Sequence, residues 1–127
     1  MIVDPSALVA IVLRESGWEA LVDKLSVGPA GAGAPTLAEA GLVLTAKLGP
    51  PGRSLLARVV QEARIAVVPF TDEHGPIAID AYARFGKGRH VAALNFGDCL
   101  TYAVASLASQ PLLYVGEDFA RTDLRHA

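Results

Sequence analysis

A chain of 127 residues has room for one hydrophobic core and needs no second domain. Its formal net charge of -2 and isoelectric point of about 5.8 exclude nucleic-acid binding by bulk positive charge, leaving only a local basic patch for that role. An apolar share of 52% with a mean hydropathy of +0.39 is high for a soluble domain, so a partner or a second copy of the chain is expected to cover part of the surface.

Met1-Ile2-Val3 reads as a short buried strand, and Pro5 directly after Asp4 marks a helix that starts at once, because proline suits the first helical position. Leu8, Ile11 and Val12 give that helix an apolar face; after Gly17 a second helix repeats the pattern with Trp18, Leu21, Val22 and Leu25. The apolar stretch Ala7 to Leu13 is far shorter than the roughly 20 residues of a membrane span and lacks the basic flank and cleavage site of a signal peptide. The expected location is the cytoplasm, with no membrane partner.

Gly28 to Gly33 reads as a loop leading to a very short or absent strand. Thr36 then begins a helix lined by Leu37, Ala40, Leu44 and Leu48, which ends at Gly49-Pro50-Pro51-Gly52. A helix from about Ser54 to Ala63, a buried strand Ile65-Ala66-Val67-Val68 and a helix from about Asp72 to Phe85 come next. Gly86 to His90 is a basic loop, Asp98 to Ala108 a largely apolar helix, and Pro111 to Val115 the last strand, succeeded by a short turn of helix and a polar tail. Continuous apolar strands separated by helices indicate an α/β fold, a parallel sheet covered on both faces.

Four acids stand where apolar runs stop: Asp4, Glu39, Asp98 and Asp118. In open α/β sheets the residues just past the strands gather on one edge. Carboxylates crowded there need a cation, and Mg²⁺ or Mn²⁺ suits an all-oxygen set. Each acid could instead cap a helix, with Asp4 preceding Pro5, Thr36-Leu37-Ala38-Glu39 as a capping box, and Asp98 and Asp118 opening the last helices. The two readings are compatible, since a helix N-terminus keeps a carboxylate ionised. Asp72 and Glu73 read as the acidic first turn of a helix capped by Thr71, and Glu15 and Glu19 as a solvated face. The lone Cys99 excludes an internal disulfide and reads as a small buried hydrophobe.

With Asp4-Pro5-Ser6-Ala7-Leu8 at its start, Glu39 in the third helix, Gly86-Lys87-Gly88-Arg89-His90 leading to Asn95-Phe96-Gly97-Asp98-Cys99, and Gly116-Glu117-Asp118-Phe119 near its end, the chain resembles the VapC toxins of the PIN-domain family over nearly its whole length. The resemblance implies a three-layer α/β/α sandwich with a mainly parallel sheet of four or five strands, one PIN domain over residues 1–127. It also implies a Mg²⁺-dependent endoribonuclease, with Mn²⁺ a possible substitute, acting as the toxin of a type II toxin-antitoxin pair. Its partners would be a VapB-type antitoxin, a tRNA, rRNA or mRNA substrate and a second copy of itself, with DNA reached only through the antitoxin. Asp4 and Asp98 correspond to the principal metal ligands, Glu39 and Asp118 to acids completing the shell directly or through water, and Ser6 to a supporting hydroxyl. Pro5 stands where the family commonly has threonine, which removes a hydroxyl and an amide donor.

On that reading Arg84, Lys87, Arg89 and His90 would supply phosphate contacts beside an acidic pocket that otherwise repels RNA, the alternative being a solvated loop. A receiver or aspartyl-phosphate phosphatase fits poorly: Ser6 stands where the second aspartate belongs, and Glu117 and Asp118 where a lysine would. Dinucleotide binding fails because Gly31-Ala32-Gly33 runs into Pro35. The remaining alternative is an inactive PIN-like module that only binds an antitoxin-type partner.

Overall fold

The structure is a computed structural model describing residues 1–127. Four parallel strands, β1 (Ile2–Val3), β2 (Ala30–Gly33), β3 (Ile65–Val68) and β4 (Leu112–Leu113), form one sheet in the order β3-β2-β1-β4. Helices α1 (Pro5–Leu13), α2 (Trp18–Leu25), α3 (Ala34–Leu48), α4 (Pro51–Glu62), α5 (His74–Phe85) and α6 (Phe96–Ala108) cover it, and a short 3₁₀ turn spans Phe119–Arg121. No helix is long and apolar enough to cross a membrane.

Successive strand residues point to opposite faces of a sheet. Val3 and Leu113 accordingly join Leu8, Leu21, Leu44 and Leu56 in a core under α1 to α4, while Ile2 and Leu112 join Ala81, Leu94, Tyr102 and Phe119 in a second core under α5 and α6. Two cores on either side of one sheet make the three layers.

Two strands differ from expectation. The glycine-rich run expected as a loop forms β2, fully buried between β1 and β3. Its small side chains are what allow this: a Cβ on Gly31 would lie 3.1 Å from Val68 Cγ2, and one on Gly33 would lie 3.0 Å from Val104 Cγ2. Conversely β3, expected to be buried, is the sheet edge, where Ile65 is buried while Ala66 and Val67 are exposed.

The helices start close to where capping chemistry places them. Asp4 caps α1 by accepting from the Ser6 amide, with Pro5 at the first helical position. Helix α4 begins at Pro51, earlier than Ser54, and α5 at His74, with Thr71 Oγ1 accepting from the Glu73 amide just ahead of it. The tail returns to the sheet at β4: the Leu112 amide donates to the Arg125 carbonyl and the Ala127 amide to the Leu112 carbonyl.

Candidate functional site

Parallel pairing of β1 with β4 brings their C-terminal ends together, the Asp4 amide donating to the Leu113 carbonyl at 2.9 Å. Chain past β4 therefore runs beside the start of α1. The Ser6 hydroxyl joins the two segments, donating to Asp4 Oδ2 at 2.6 Å and accepting from the Val115 amide at 2.9 Å. Asp4 itself is only 4% exposed.

Asp98 reaches the same place from α6. It completes a capping box with Asn95: the Asp98 amide donates to Asn95 Oδ1 at 2.9 Å, and Asp98 Oδ2 accepts from the Asn95 amide at 3.0 Å. Asp4 and Asp98 thus both cap helices and line the same cleft. For Glu39 the capping explanation fails. Helix α3 starts at Ala34 with Gly33 ahead of it and no side-chain cap, Thr36 Oγ1 pairs with Thr101 Oγ1 at 3.2 Å, and Glu39 lies in the second helical turn.

Asp4, Ser6, Glu15, Glu39 and Asp98 line one cleft of about 330 Å³ with Pro5, Val9, Val43 and Val115. Four carboxylates face it and no lysine, arginine or histidine does. Burial first, and then mutual repulsion, raises the proton affinity of three of them, Asp4, Glu39 and Asp98. Burial, aided by the charges of Asp4, Asp118 and Glu39, pushes Asp98 up to about 6 against the pull of the Asn95 amide. Burial raises the Asp4 carboxyl despite hydrogen bonds from Ser6 and Thr101, and burial followed by the charge of Asp4 raises Glu39. An all-oxygen set without a cationic side chain fits a hard divalent ion. No three acids, cysteines or histidines stand close enough together to form a ready ligand set.

Asp118 is exposed just ahead of the 3₁₀ turn and outside the cleft lining, although Asp4 and Asp98 both feel its charge; the charge of the neighbouring Glu117 bears on Tyr114 instead. Glu15 is exposed, as a solvated face requires, and it also lines the cleft, because Arg14 ends α1 in the left-handed conformation and turns the chain. Spacing carried no signal for that turn, nor for Thr101, which is fully buried beneath Asp4. Cys99 is buried, as expected of a small hydrophobe, and its thiol is pushed up, first by burial and then by Asp98.

The basic group divides. Arg84 is held by Asp123 at 3.0 Å, by Asp80 at 3.6 Å and by the Tyr102 hydroxyl at 3.4 Å, and His90 Nδ1 accepts from the Ala92 amide at 3.0 Å. Both therefore have structural roles. Lys87 and Arg89 are exposed on a loop closed by the Leu94 and Lys87 amides, which donate to the Phe85 and Leu94 carbonyls respectively.

The family model described as PIN domain matches residues 1–124. The chain is 50% identical over 126 residues to ribonuclease VapC36 of Mycobacterium tuberculosis, covering 98% of this chain and 91% of that protein. The chain belongs to the PIN domain family. Ribonuclease VapC of Mycolicibacterium smegmatis is 38% identical over 125 residues, with 98% and 97% of the two chains covered. Among solved structures this PIN domain superposes on Mycobacterium tuberculosis VapC20, a Sarcin-Ricin loop cleaving toxin, with a TM-score of 0.80 at 16% identity over 99% and 97% of the chains. It superposes on VapBC2 from Rickettsia felis, bound to a promoter DNA fragment, with a TM-score of 0.78 at 14% identity over 99% and 96%. Those two likenesses bear on the fold, and they match the α/β/α sandwich and parallel sheet of this PIN domain.

Proposed function

We propose that this chain is the toxin of a type II VapBC pair, an endoribonuclease that hydrolyses RNA with Mg²⁺, or Mn²⁺ in its place. The observation that carries the reading is the cleft of four carboxylates with no cationic side chain, reached by acids from the end of β1, the second turn of α3 and the first turn of α6. Relatives named ribonuclease at up to half identity support the RNA substrate.

When bound there, a divalent cation supplies water activation and charge relief on the phosphodiester. Asp4 and Asp98 would hold it, with Glu39 and Asp118 completing the set directly or through water. Ser6 fixes the Asp4 carboxylate by donating to Oδ2 while tied to Val115. Pro5 costs no hydrogen bond at its place, since the first amides of a helix have no partner within it. The deciding experiment incubates the purified chain with RNA in Mg²⁺, in Mn²⁺ and in EDTA. Discrete fragments in metal alone support the reading; a folded chain that cuts nothing in either metal would leave the binding-only module.

Phosphate contacts fall to Lys87 and Arg89, because Arg84 is paired with Asp80 and Asp123 and the His90 ring is held by the Ala92 amide. In the double variant Lys87→Ala/Arg89→Ala, RNA binding should weaken and the slope of log affinity against log salt should flatten by about 1.4, roughly 0.7 per phosphate. An unchanged slope would return the loop to solvent.

Two apolar surfaces support the partners. A groove of about 770 Å³ between α1, α2 and α4, lined by Ile11, Trp18, Val22, Leu25 and Val59 and rimmed by Arg14, Arg58 and Arg64, suits an antitoxin segment with an apolar face. Leu42, Ile79 and Phe96 are 74%, 73% and 78% exposed on α3, α5 and α6, which supports a homodimer through these helices. Light scattering on the antitoxin-free chain should give twice the 13.2 kDa of one copy, and a monomeric mass at micromolar concentration would count against it.

A further inference from the structure

Glu39 and Asp98 lie on different helices, and a tight contact between those helices falls at Gly97, the residue before Asp98. A Cβ placed on Gly97 would stand 2.6 Å from Glu39 Oε1, 2.8 Å from Oε2 and 3.0 Å from its carboxyl carbon. The whole carboxylate of Glu39 therefore occupies the space that any side chain at residue 97 would take. The backbone makes no demand for glycine here: Gly97 sits in the first turn of α6 and is absent from the residues with positive φ. Glycine inside a helix is a cost to stability. A carboxylate at the N-terminal turn of α6 is in turn favoured by the helix dipole.

We propose that Gly97 is a positioning residue whose missing side chain seats the Glu39 carboxylate against the first turn of α6, beside Asp98. Acids from α3 and α6 can then act on one cation. The inference rests on the reading of the cleft as a cation site.

Gly97→Ala tests it. Because the atoms displaced are the far end of a flexible side chain, the fold survives, and because alanine is the better helix former the metal-free chain should melt at the same temperature or higher. Mn²⁺ affinity by titration calorimetry should nevertheless fall about tenfold or more, and metal-dependent cleavage with it. Glu39→Asp withdraws the carboxylate by one methylene, so the double variant Gly97→Ala/Glu39→Asp should lose much less Mn²⁺ affinity than the two single losses combined. Additive losses, an unchanged Mn²⁺ affinity in Gly97→Ala, or a loss explained by a lower melting temperature would each overturn the proposal. A wild-type chain that binds no Mn²⁺ would instead remove the cation site and this role together, so the two failures are told apart by that control.

Discussion

Asp98→Asn is expected to lower metal-dependent RNA cleavage by about a thousandfold, the rate equivalent of ~4 kcal/mol of transition-state stabilisation, while the chain stays folded. The fold should survive because asparagine keeps an acceptor for the Asn95 amide, and the residue 98 amide still donates to Asn95 Oδ1, so both halves of the α6 capping box are preserved. Stability should even gain. The Asp98 carboxyl is pushed up to about 6 from 3.8, so between those values the folded chain holds more protons than the unfolded one. Stability of the metal-free wild type therefore falls as pH rises through that window, and above it the charged carboxylate is a standing cost. A neutral amide removes that cost; after allowance for partial exposure the gain is on the order of 1 kcal/mol. In EDTA the wild-type melting temperature should drop more between about pH 5 and about pH 7.5 than that of the variant. Mg²⁺ at the higher pH should raise the wild type and leave the variant nearly unmoved, since only an ion bound to the folded state stabilises it. Cleavage by the variant at the wild-type rate would sink the assignment of Asp98, and identical pH profiles would sink the electrostatic account.

The second large effect concerns the helix layer beside β2. Gly52→Ala should destabilise the chain by about 3 kcal/mol, because overpacked contacts must be relieved by moving backbone. A Cβ at residue 52 would stand 2.5 Å from the Leu44 carbonyl oxygen and 3.1 Å from Leu44 Cβ. Neither can rotate away, since Leu44 is fully buried in the core under α1 to α4. For a domain of this size that loss lowers the melting temperature by about 10 °C. Gly41→Ala is the control on the facing helix. There the nearest atom is Leu56 Cδ2 at 3.7 Å, an ordinary contact, and alanine inside α3 should be neutral or stabilising by about 0.5–1 kcal/mol. Urea unfolding of both variants decides the matter: equal midpoints for Gly52→Ala and wild type would mean that α3 and α4 are not in close contact there.

The contrast between Gly52 and Gly97 shows what small residues do in this chain. One admits a neighbouring backbone, so its replacement is read in stability; the other admits a carboxylate tip, so its replacement is read in ion binding. Both appear in the sequence only as glycines.

By itself the sequence determined the elements whose cause is local. Pro5 after Asp4 starts α1, and the apolar spacing of Leu21, Leu25 and Leu44 points these side chains into one core, whereas α6 starts two residues before the expected Asp98, boxed by Asn95 and Asp98. Asp4, Glu39 and Asp98 were legible as a group because each acid comes soon after an apolar run, and parallel strands deliver the residues beyond their C-terminal ends to one edge of the sheet. Tertiary structure decided everything that depends on neighbours distant in the chain. Ala30–Gly33 becomes a central strand only because Val68 and Val104 close over residues without bulk, and Ile65–Val68 becomes an edge because no further strand pairs beyond it. The left-handed turn at Arg14 brings Glu15 to the cleft, while Asp118 stays outside its lining and is felt through its charge. Likewise Asp123 and Tyr102 claim Arg84, which spacing alone had grouped with the free basic loop. Propensity and capping act over a few residues, whereas packing space and charge act between atoms that only the folded chain brings together.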